Sequence, residues 1–341
     1  MIYAFGRLED DRTFLIRDFD QRPHFLIPAE FADAVKSGTV EPDHRLSLAG
    51  ESLARVSVVL PSDAPGVRDA LHGMGIATYE ADVRFAMRYL IDRNVRGGVE
   101  ILGDALQASS GGDQGVDLIF DNPQIAPADV TVAPRVLSFD IETNPHTDRL
   151  LAIACYGCGV DEVVVVTDPD RQMPERTIAV ADERGALRYF CDLVRRLDVD
   201  VLTGWNVIDF DLNFLQRVAQ RVRFDLQLGR HPGTVRIREA QGYFGSGHAT
   251  IPGRLVLDGL DLLRGAFVKM DEYSLGAVAS VVLGEGKTIA SHGQDKVDDI
   301  LRSYAEDLAA FAFYARTDAR LALQIIERLD LVDLALRGQR L

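Results

Sequence analysis

Residues 135–168 contain three apolar segments joined by short polar turns, and this run limits the possible folds more than any other feature of the chain. The segments are RVLSFDI, LLAIACYG and DEVVVVTD, each short and rich in β-branched residues. Turns of only a few residues join strands as antiparallel neighbours, because a parallel pair needs a long crossover. The run therefore predicts three successive antiparallel strands.

Strands and helices alternate after this run. The pattern predicts a helix over 182–197 with Asp182 as N-cap, a buried strand over 199–205, a helix over 209–222, a strand over 253–263 and a closing helix over 305–332. An antiparallel start followed by strand–helix alternation predicts the α/β (α+β) class, with a mixed sheet and helices on its faces.

The first 130 residues have a different pattern. Short strands such as RTFLIRDFD and ARVSVVLP mix with helical pieces such as PGVRDALHGMG, and ASSGGDQGVD (108–117) is typical of a loop. DNPQIAPADVTVAPR (121–135) contains three prolines and is typical of a domain connection. The 341 residues suffice for two domains, so we expect a smaller β-rich domain over 1–130 and a second domain over 131–341.

Composition excludes some functional classes. A formal charge of −15 argues against broad electrostatic adhesion to nucleic acid, although clustered catalytic acids would add to that total. No run approaches the ~20 apolar residues of a membrane helix, and the amino terminus has no basic segment followed by an apolar one. Three cysteines suit a reducing compartment. We therefore expect a cytoplasmic protein without a membrane partner.

Two carboxylates interrupt the first predicted strand. Asp140 and Glu142 lie two residues apart, so in a strand they project from the same face. Their repulsion would be costly in a partly buried site unless a cation lay between them. The alternative is that the strand has ended by Asp140 and that both acids are solvated.

Further acids favour a site. Asp211 falls in the first turn of a helix that leaves a strand, where the helix dipole alone could explain it. Tyr314 and Asp318 share one face of the last helix, where a solvated pair is the alternative. Each alternative is reasonable by itself, but their joint occurrence in this order favours a common site.

Carboxylates without a histidine or cysteine cluster suit hard ions such as Mg²⁺ or Mn²⁺. Two such ions about 4 Å apart would serve an in-line phosphoryl displacement, the chemistry of phosphodiester hydrolysis. Tyr314 could orient the attacking water, but its ordinary pKa near 10 makes it a poor general base.

These residues resemble the three motifs of the DEDDy 3′–5′ proofreading exonucleases. FDIET (139–143) resembles the first motif, NVIDFD (206–211) the second and YARTD (314–318) the third. The flanking segments GWNVIDFDL, GRLVLDG, YSL, VLGEGK and YEADVR resemble the family B DNA polymerases, in particular their bacterial polymerase II branch. The resemblance covers nearly the whole chain and is strongest at the acidic motifs.

The resemblance implies a ribonuclease H-like exonuclease domain after the β-rich amino-terminal domain of the family. It implies Asp140, Glu142, Asp211 and Asp318 as ligands of two Mg²⁺ or Mn²⁺ ions and as catalytic residues, with Tyr314 placing the water. Thr143, Asn206 and Phe210 would contact the 3′-terminal nucleotides. The insertion over 229–253 is similar to the hairpin that helps to pass a primer end between active sites.

The resemblance also implies partners and a location. We expect a single-stranded or frayed 3′ end of DNA as substrate, in a cytoplasmic, nucleoid-associated protein. No paired-aspartate palm motif occurs, so palm, fingers and thumb domains are expected outside this chain, and a sliding clamp could be contacted through them. The alternatives are a non-catalytic DNA- or polymerase-binding scaffold and a free-standing nuclease acting on RNA or oligonucleotides.

Other signals do not indicate a site. GEGKT (284–288) is not a phosphate loop, since Val281 occupies the position where the motif needs glycine. Cys155 and Cys158 have no second pair, which favours structural thiols. Asp258 and Asp261 follow a strand and are interpreted as helix caps.

Overall fold

The computed structural model describes residues 1–107, 115–238, 247–285 and 294–338. The tip of the predicted loop at 108–117, the centre of the 229–253 insertion and most of the GEGKT segment lie outside the described residues. The described chain forms two compact units. Unit 1 comprises residues 1–107 and 117–131, and unit 2 comprises residues 115–116 and 132–338.

Unit 1 is built mainly from short strands. They are β1 (Ile2–Arg7), β2 (Thr13–Asp18), β3 (His24–Pro28), β4 (Thr39–Leu46), β5 (Ser52–Ser57), β6 (Val99–Leu102), β7 (Ala105–Gln107), β8 (Leu118–Asp121) and β9 (Gln124–Pro127). They form sheets in the orders β1-β2-β8-β7, β3-β5-β4 and β6-β9. The helical elements are a 3₁₀ turn at Ala29–Ala34, α1 (Ala64–Gly73) and α2 (Phe85–Ile91).

Unit 2 is built around a six-stranded mixed sheet in the order β13-β12-β11-β10-β14-β17. Its strands are β10 (Val136–Asn144), β11 (Arg149–Gly157), β12 (Val160–Val166), β13 (Thr177–Val180), β14 (Val201–Gly204) and β17 (Leu255–Asp258), and β15 (Arg236–Arg238) pairs separately with β16 (His248–Thr250). The predicted antiparallel run is confirmed for β10, β11 and β12. Strands β14 and β17 continue the sheet in parallel beside β10.

Helices cover both faces of this sheet. They are α3 (Glu183–Arg196), α4 (Asn213–Arg221), α5 (Gly259–Gly265), α6 (Leu275–Leu283), α7 (Gln294–Glu306), α8 (Leu308–Arg328) and α9 (Leu331–Gly338). Leu137, Phe139 and Ile141 of β10 belong to one buried cluster with residues of α3 and α4. On the other face, residues of β11 and β12 pack against α7 and α8. The α/β class with a mixed sheet and flanking helices is confirmed.

Three element boundaries differ from the sequence prediction. The predicted helix over 209–222 begins as a π-helical turn at Val207–Leu212, and only then becomes α4. The predicted strand over 253–263 ends at Asp258, where α5 begins, because the Asp258 carboxylate caps the amides of Leu260 and Asp261. The predicted closing helix is interrupted at Asp307, whose side chain accepts the Ala310 N–H and starts α8.

Candidate metal and nucleic-acid site

Strand β10 and helix α8 together present a carboxylate cluster. Alternation along β10 sends Phe139 and Ile141 towards α3 and α4, so Asp140 and Glu142 point to the opposite face, where α8 packs. Carboxylate oxygens of Asp140, Glu142 and Asp318 all lie within 4.8 Å of one another. Glu142 and Asp318 are buried, and Asp140 is half-buried. The strand continues past Asp140 to Asn144, so the alternative of two solvated acids after a strand end is wrong.

A β-bulge lies at the carboxylate cluster. The pairing of β10 with β11 shifts register between Glu142 and Thr143, so that Glu142 faces Ala152 while Thr143 faces Leu150. A bulge re-aims the side chains beside it and is common next to active sites. The bulge therefore lies directly after Glu142, and the pairing with β11 resumes at Thr143 and continues to Asn144.

Asp211 reaches this strand from the π turn. Its Oδ1 accepts the backbone N–H of Ile141 at 3.0 Å, and the side chain is 2% exposed. Burial and the charge of Asp140 raise the pKa of the Asp211 carboxyl well above its ordinary value. The three-residue cluster does not include Asp211. Its carboxylate instead accepts the N–H of Ile141, the residue between Asp140 and Glu142.

Tyr314 lies on α8 one turn before Asp318. Tyr314 is 3% exposed, and it shares a helix face with Asp318, four residues further along. Burial, with the neighbouring charges of Glu142, Asp318 and Asp140, raises the pKa of the Tyr314 hydroxyl far above its ordinary value. The hydroxyl therefore keeps its proton at neutral pH and acts as a hydrogen-bonding group.

The predicted nucleotide-contact residues lie in the two chain segments that carry Glu142 and Asp211. Asn206 is exposed and has left-handed backbone geometry, with φ +60°, at the start of the π turn. Phe210 is 49% exposed, and its ring centroid lies 6.5 Å from that of Phe214. Thr143 follows the bulge and is half-buried. An exposed aromatic face such as that of Phe210 can stack on a nucleic-acid base.

The donor set fits divalent cations. Carboxylate oxygens about 2.1 Å from Mg²⁺ lie up to about 4.2 Å apart, so a cluster within 4.8 Å needs only small side-chain adjustments to hold an ion. Buried like charges are costly unless a cation neutralises them. The three carboxylates could therefore hold a metal ion.

Asp258 has a second contact that its interpretation as a helix cap did not include. Its Oδ2 accepts the N–H of Ile208, in the same π turn that carries Asp211. The signal in the sequence is an acid at the end of a strand, which by itself does not distinguish a cap from a contact to another element.

Comparison with known proteins places this site in a family. A model described as "DNA polymerase family B, exonuclease domain" matches residues 76–278. The chain belongs to the family B DNA polymerases. The match covers Asp140, Glu142 and Asp211, whereas Tyr314 and Asp318 lie beyond it. The resemblance inferred from the motifs is thus confirmed, and family membership gives the chain a nuclease role.

Individual relatives agree with this assignment. DNA polymerase II of Escherichia coli strain K12 is 34% identical over 263 residues, which are 76% of this chain and 32% of that protein. The DNA polymerase delta catalytic subunit of Oryza sativa subsp. japonica is 27% identical over 319 residues, covering 81% of this chain and 28% of that protein. The chain therefore spans about a third of the length of these relatives.

A solved structure supports the fold. The family B DNA polymerase of the hyperthermophilic archaeon Pyrobaculum calidifontis superposes with a TM-score of 0.76 at 24% identity, over 99% of this chain and 46% of that one. Among the described residues, no helix combines the length and the hydropathy that crossing a bilayer requires.

Proposed function

We propose that the chain removes nucleotides from the 3′ end of DNA, as the metal-dependent 3′–5′ proofreading exonuclease of a larger family B polymerase. The observation that carries this proposal is the gathering of Asp140, Glu142 and Asp318 within 4.8 Å, next to Tyr314. The elements that meet there are the first strand and a late helix of the domain, far apart in the chain.

In this proposal Asp140, Glu142, Asp211 and Asp318 hold two Mg²⁺ or Mn²⁺ ions. When bound, such ions supply an activated water and neutralise the charge that develops on the phosphate. The Tyr314 hydroxyl stays protonated and has lone pairs that can accept a hydrogen bond from the attacking water. It orients that water and does not deprotonate it.

Phe210, Asn206 and Thr143 hold the terminal nucleotides in the same proposal. The exposed ring of Phe210 stacks on a base, and such stacking is tolerant of sequence. Tolerance of sequence suits a proofreading enzyme, which must accept any unpaired 3′ end.

The proposal extends to the protein around this site. Residues 1–130 form the amino-terminal domain of the family B type and residues 131–341 the exonuclease domain, with palm, fingers and thumb domains outside this chain. The partners are a single-stranded or frayed 3′ end and those polymerase domains, with a sliding clamp reached through them. The location is the cytoplasm, near the nucleoid.

The experiment is a gel assay on 5′-labelled single-stranded DNA with Mg²⁺ or Mn²⁺ and an EDTA control. We expect a ladder that shortens from the 3′ end, and we expect EDTA or the double change Asp140→Ala/Glu142→Ala to abolish it. The matched control is Asp209→Ala, which removes an exposed acid from the same π turn and should leave the rate unchanged.

Each other outcome counts against the proposal. A double variant as fast as the wild type would exclude these acids as ligands. A folded wild type that degrades nothing would favour the non-catalytic scaffold. Faster degradation of an RNA of the same sequence would favour the free-standing nuclease.

A further inference from the structure

The π turn Val207–Leu212, which carries Asp211, has no cap of its own at its amino end. The residue before it, Asn206, has left-handed geometry, and its side chain makes no capping hydrogen bond. The first N–H groups of any helical segment have no partner inside that segment. These donors need an acceptor from another part of the chain.

Asp258 supplies that acceptor from another strand. Its Oδ2 accepts the N–H of Ile208 at 3.1 Å, and the bond is buried. Strands β14 and β17 are parallel neighbours with Gly204 opposite Asp258, so the segment that leaves β14 passes beside the end of β17. Asp258 thus does for the π turn what an N-cap residue does for its own helix.

The two oxygens of Asp258 have separate contacts. Oδ1 accepts the N–H groups of Leu260 at 3.0 Å and of Asp261 at 3.3 Å, which is the capping of α5. The bond of Oδ2 to Ile208 contributes nothing to that cap. The side chain is 5% exposed, and burial raises the pKa of its carboxyl.

The π turn is therefore fixed to the sheet near both of its ends. Ile208 is bonded to Asp258 of β17, and Asp211 is bonded to the Ile141 N–H of β10. The turn is short, so a displacement at Ile208 moves Asp211 relative to Asp140 and Glu142. Groups that orient the ligands of a metal site affect its affinity in this way.

We propose that Asp258 is a positioning residue of the exonuclease site, which fixes the π turn through the Ile208 N–H and thereby places the Asp211 carboxylate beside Asp140. This inference rests on the proposed function, in which Asp211 serves the reaction.

The test compares Asp258→Asn with Asp182→Asn in the full chain. In Asp258→Asn the remaining oxygen can still cap α5, but the amide then points a donor at the Ile208 N–H. Asp182 is the matched control, because it caps a different helix, α3, by accepting the Gly185 N–H at 2.7 Å. Asp258→Ser is a second variant, since a serine caps α5 as a helix N-cap but is too short to reach Ile208.

Three quantities are measured for each variant: hydrogen exchange of residues 207–212, the affinity for Mn²⁺, and the kcat and KM for removal of 3′ nucleotides. For both Asp258 variants we expect faster exchange and a loss of about 10- to 100-fold in Mn²⁺ affinity and kcat, with KM for DNA unchanged. For Asp182→Asn we expect wild-type values.

The outcomes separate the two proposals. Wild-type exchange and affinity in both Asp258 variants, or an equal loss in Asp182→Asn, would overturn the positioning role while DNA degradation by the wild type still supports the nuclease. A wild type that binds Mn²⁺ at Asp211 but degrades no DNA would overturn the proposed function. Exchange and Mn²⁺ affinity need no turnover, so they report on positioning in either case.

Discussion

Two aspartates with buried side chains, one in each unit, have opposite surroundings. Asp43 of unit 1 has a side chain 1% exposed, and Arg45 donates to it at 2.8 Å and Arg55 at 3.0 Å. These guanidinium groups lower the pKa of the Asp43 carboxyl. Asp211 of unit 2 meets a backbone N–H and the like charge of Asp140, and burial raises its pKa.

The difference shows what each carboxylate contributes. A buried acid with bidentate arginine partners is stable as an ion and holds strands together, as Asp43 joins β4 to β5. A buried acid beside another acid lowers the free energy of unfolding when no cation neutralises the two charges. The second arrangement is expected at a ligand-binding site, where the unpaired acids bind the ligand and make the ligand-free protein less stable.

The largest expected effect comes from adding a cation to the acidic site. At about 100 times its dissociation constant, Mn²⁺ should raise the free energy of unfolding by about 2.7 kcal/mol. Urea titrations with and without Mn²⁺ measure this, and Asp140→Asn/Glu142→Gln should remove the response while Asp43→Asn keeps it. An undiminished response in the double variant would contradict a metal site at these acids.

A smaller effect is expected at the arginine-paired acid. Asp43→Asn should lower the free energy of unfolding at pH 7 by about 2 kcal/mol, less than for a fully buried pair because both arginines are partly exposed. Because the folded pKa of Asp43 is lowered, its contribution is present above the unfolded pKa and is lost as the pH falls through the folded value. The difference from the wild type should therefore persist at neutral pH and shrink below about pH 4.

The control for this variant is nuclease activity, which should stay at the wild-type rate. A stability difference that does not change down to acid pH would show that packing, and not charge, explains the effect.

The smallest effect should have the opposite sign. Asp211→Asn keeps an oxygen for the Ile141 N–H and removes a costly buried charge, so it should stabilise the metal-free chain by about 1 kcal/mol at pH 7. The folded pKa of Asp211 is raised, so its protonated carboxyl favours the folded state. This stabilisation is complete below the unfolded pKa and is lost as the pH rises through the folded pKa. The advantage of the variant should therefore be greatest at neutral pH and disappear in acid.

Thermal unfolding in EDTA across this pH range is the measurement, with Asp209→Asn as the exposed control. Destabilisation by Asp211→Asn at pH 7 would mean that the charge is compensated in the metal-free fold. We also expect Asp211→Asn to lose nuclease activity despite its greater stability.

Local patterns predicted much of the site. The spacing of Asp140 and Glu142 placed both acids on one strand face, and the spacing of Tyr314 and Asp318 placed both on one helix face. The antiparallel run and the Asp182 cap of α3 were predicted equally well. Element boundaries were predicted less well, because the π turn and the interruption at Asp307 depend on bonds that periodicity does not reveal.

Asp43 illustrates what the sequence left open. Its strand, TVEPDHRL, alternates without a clear apolar face, and nothing in that pattern marks one acid as buried. The burial of Asp43 follows from Arg55 on the neighbouring strand, which only the strand pairing brings near.

The sequence by itself determined the elements, the faces on which the acids lie and the family, because each depends on spacing within one strand, one helix or one motif. Only the tertiary structure decided that α8 packs on the face of β10 that carries Asp140 and Glu142, and that Asp258 reaches back to Ile208. These contacts join residues 50 or more positions apart. These contacts form only when the whole sheet and its helices assemble, and no local sequence pattern encodes that assembly.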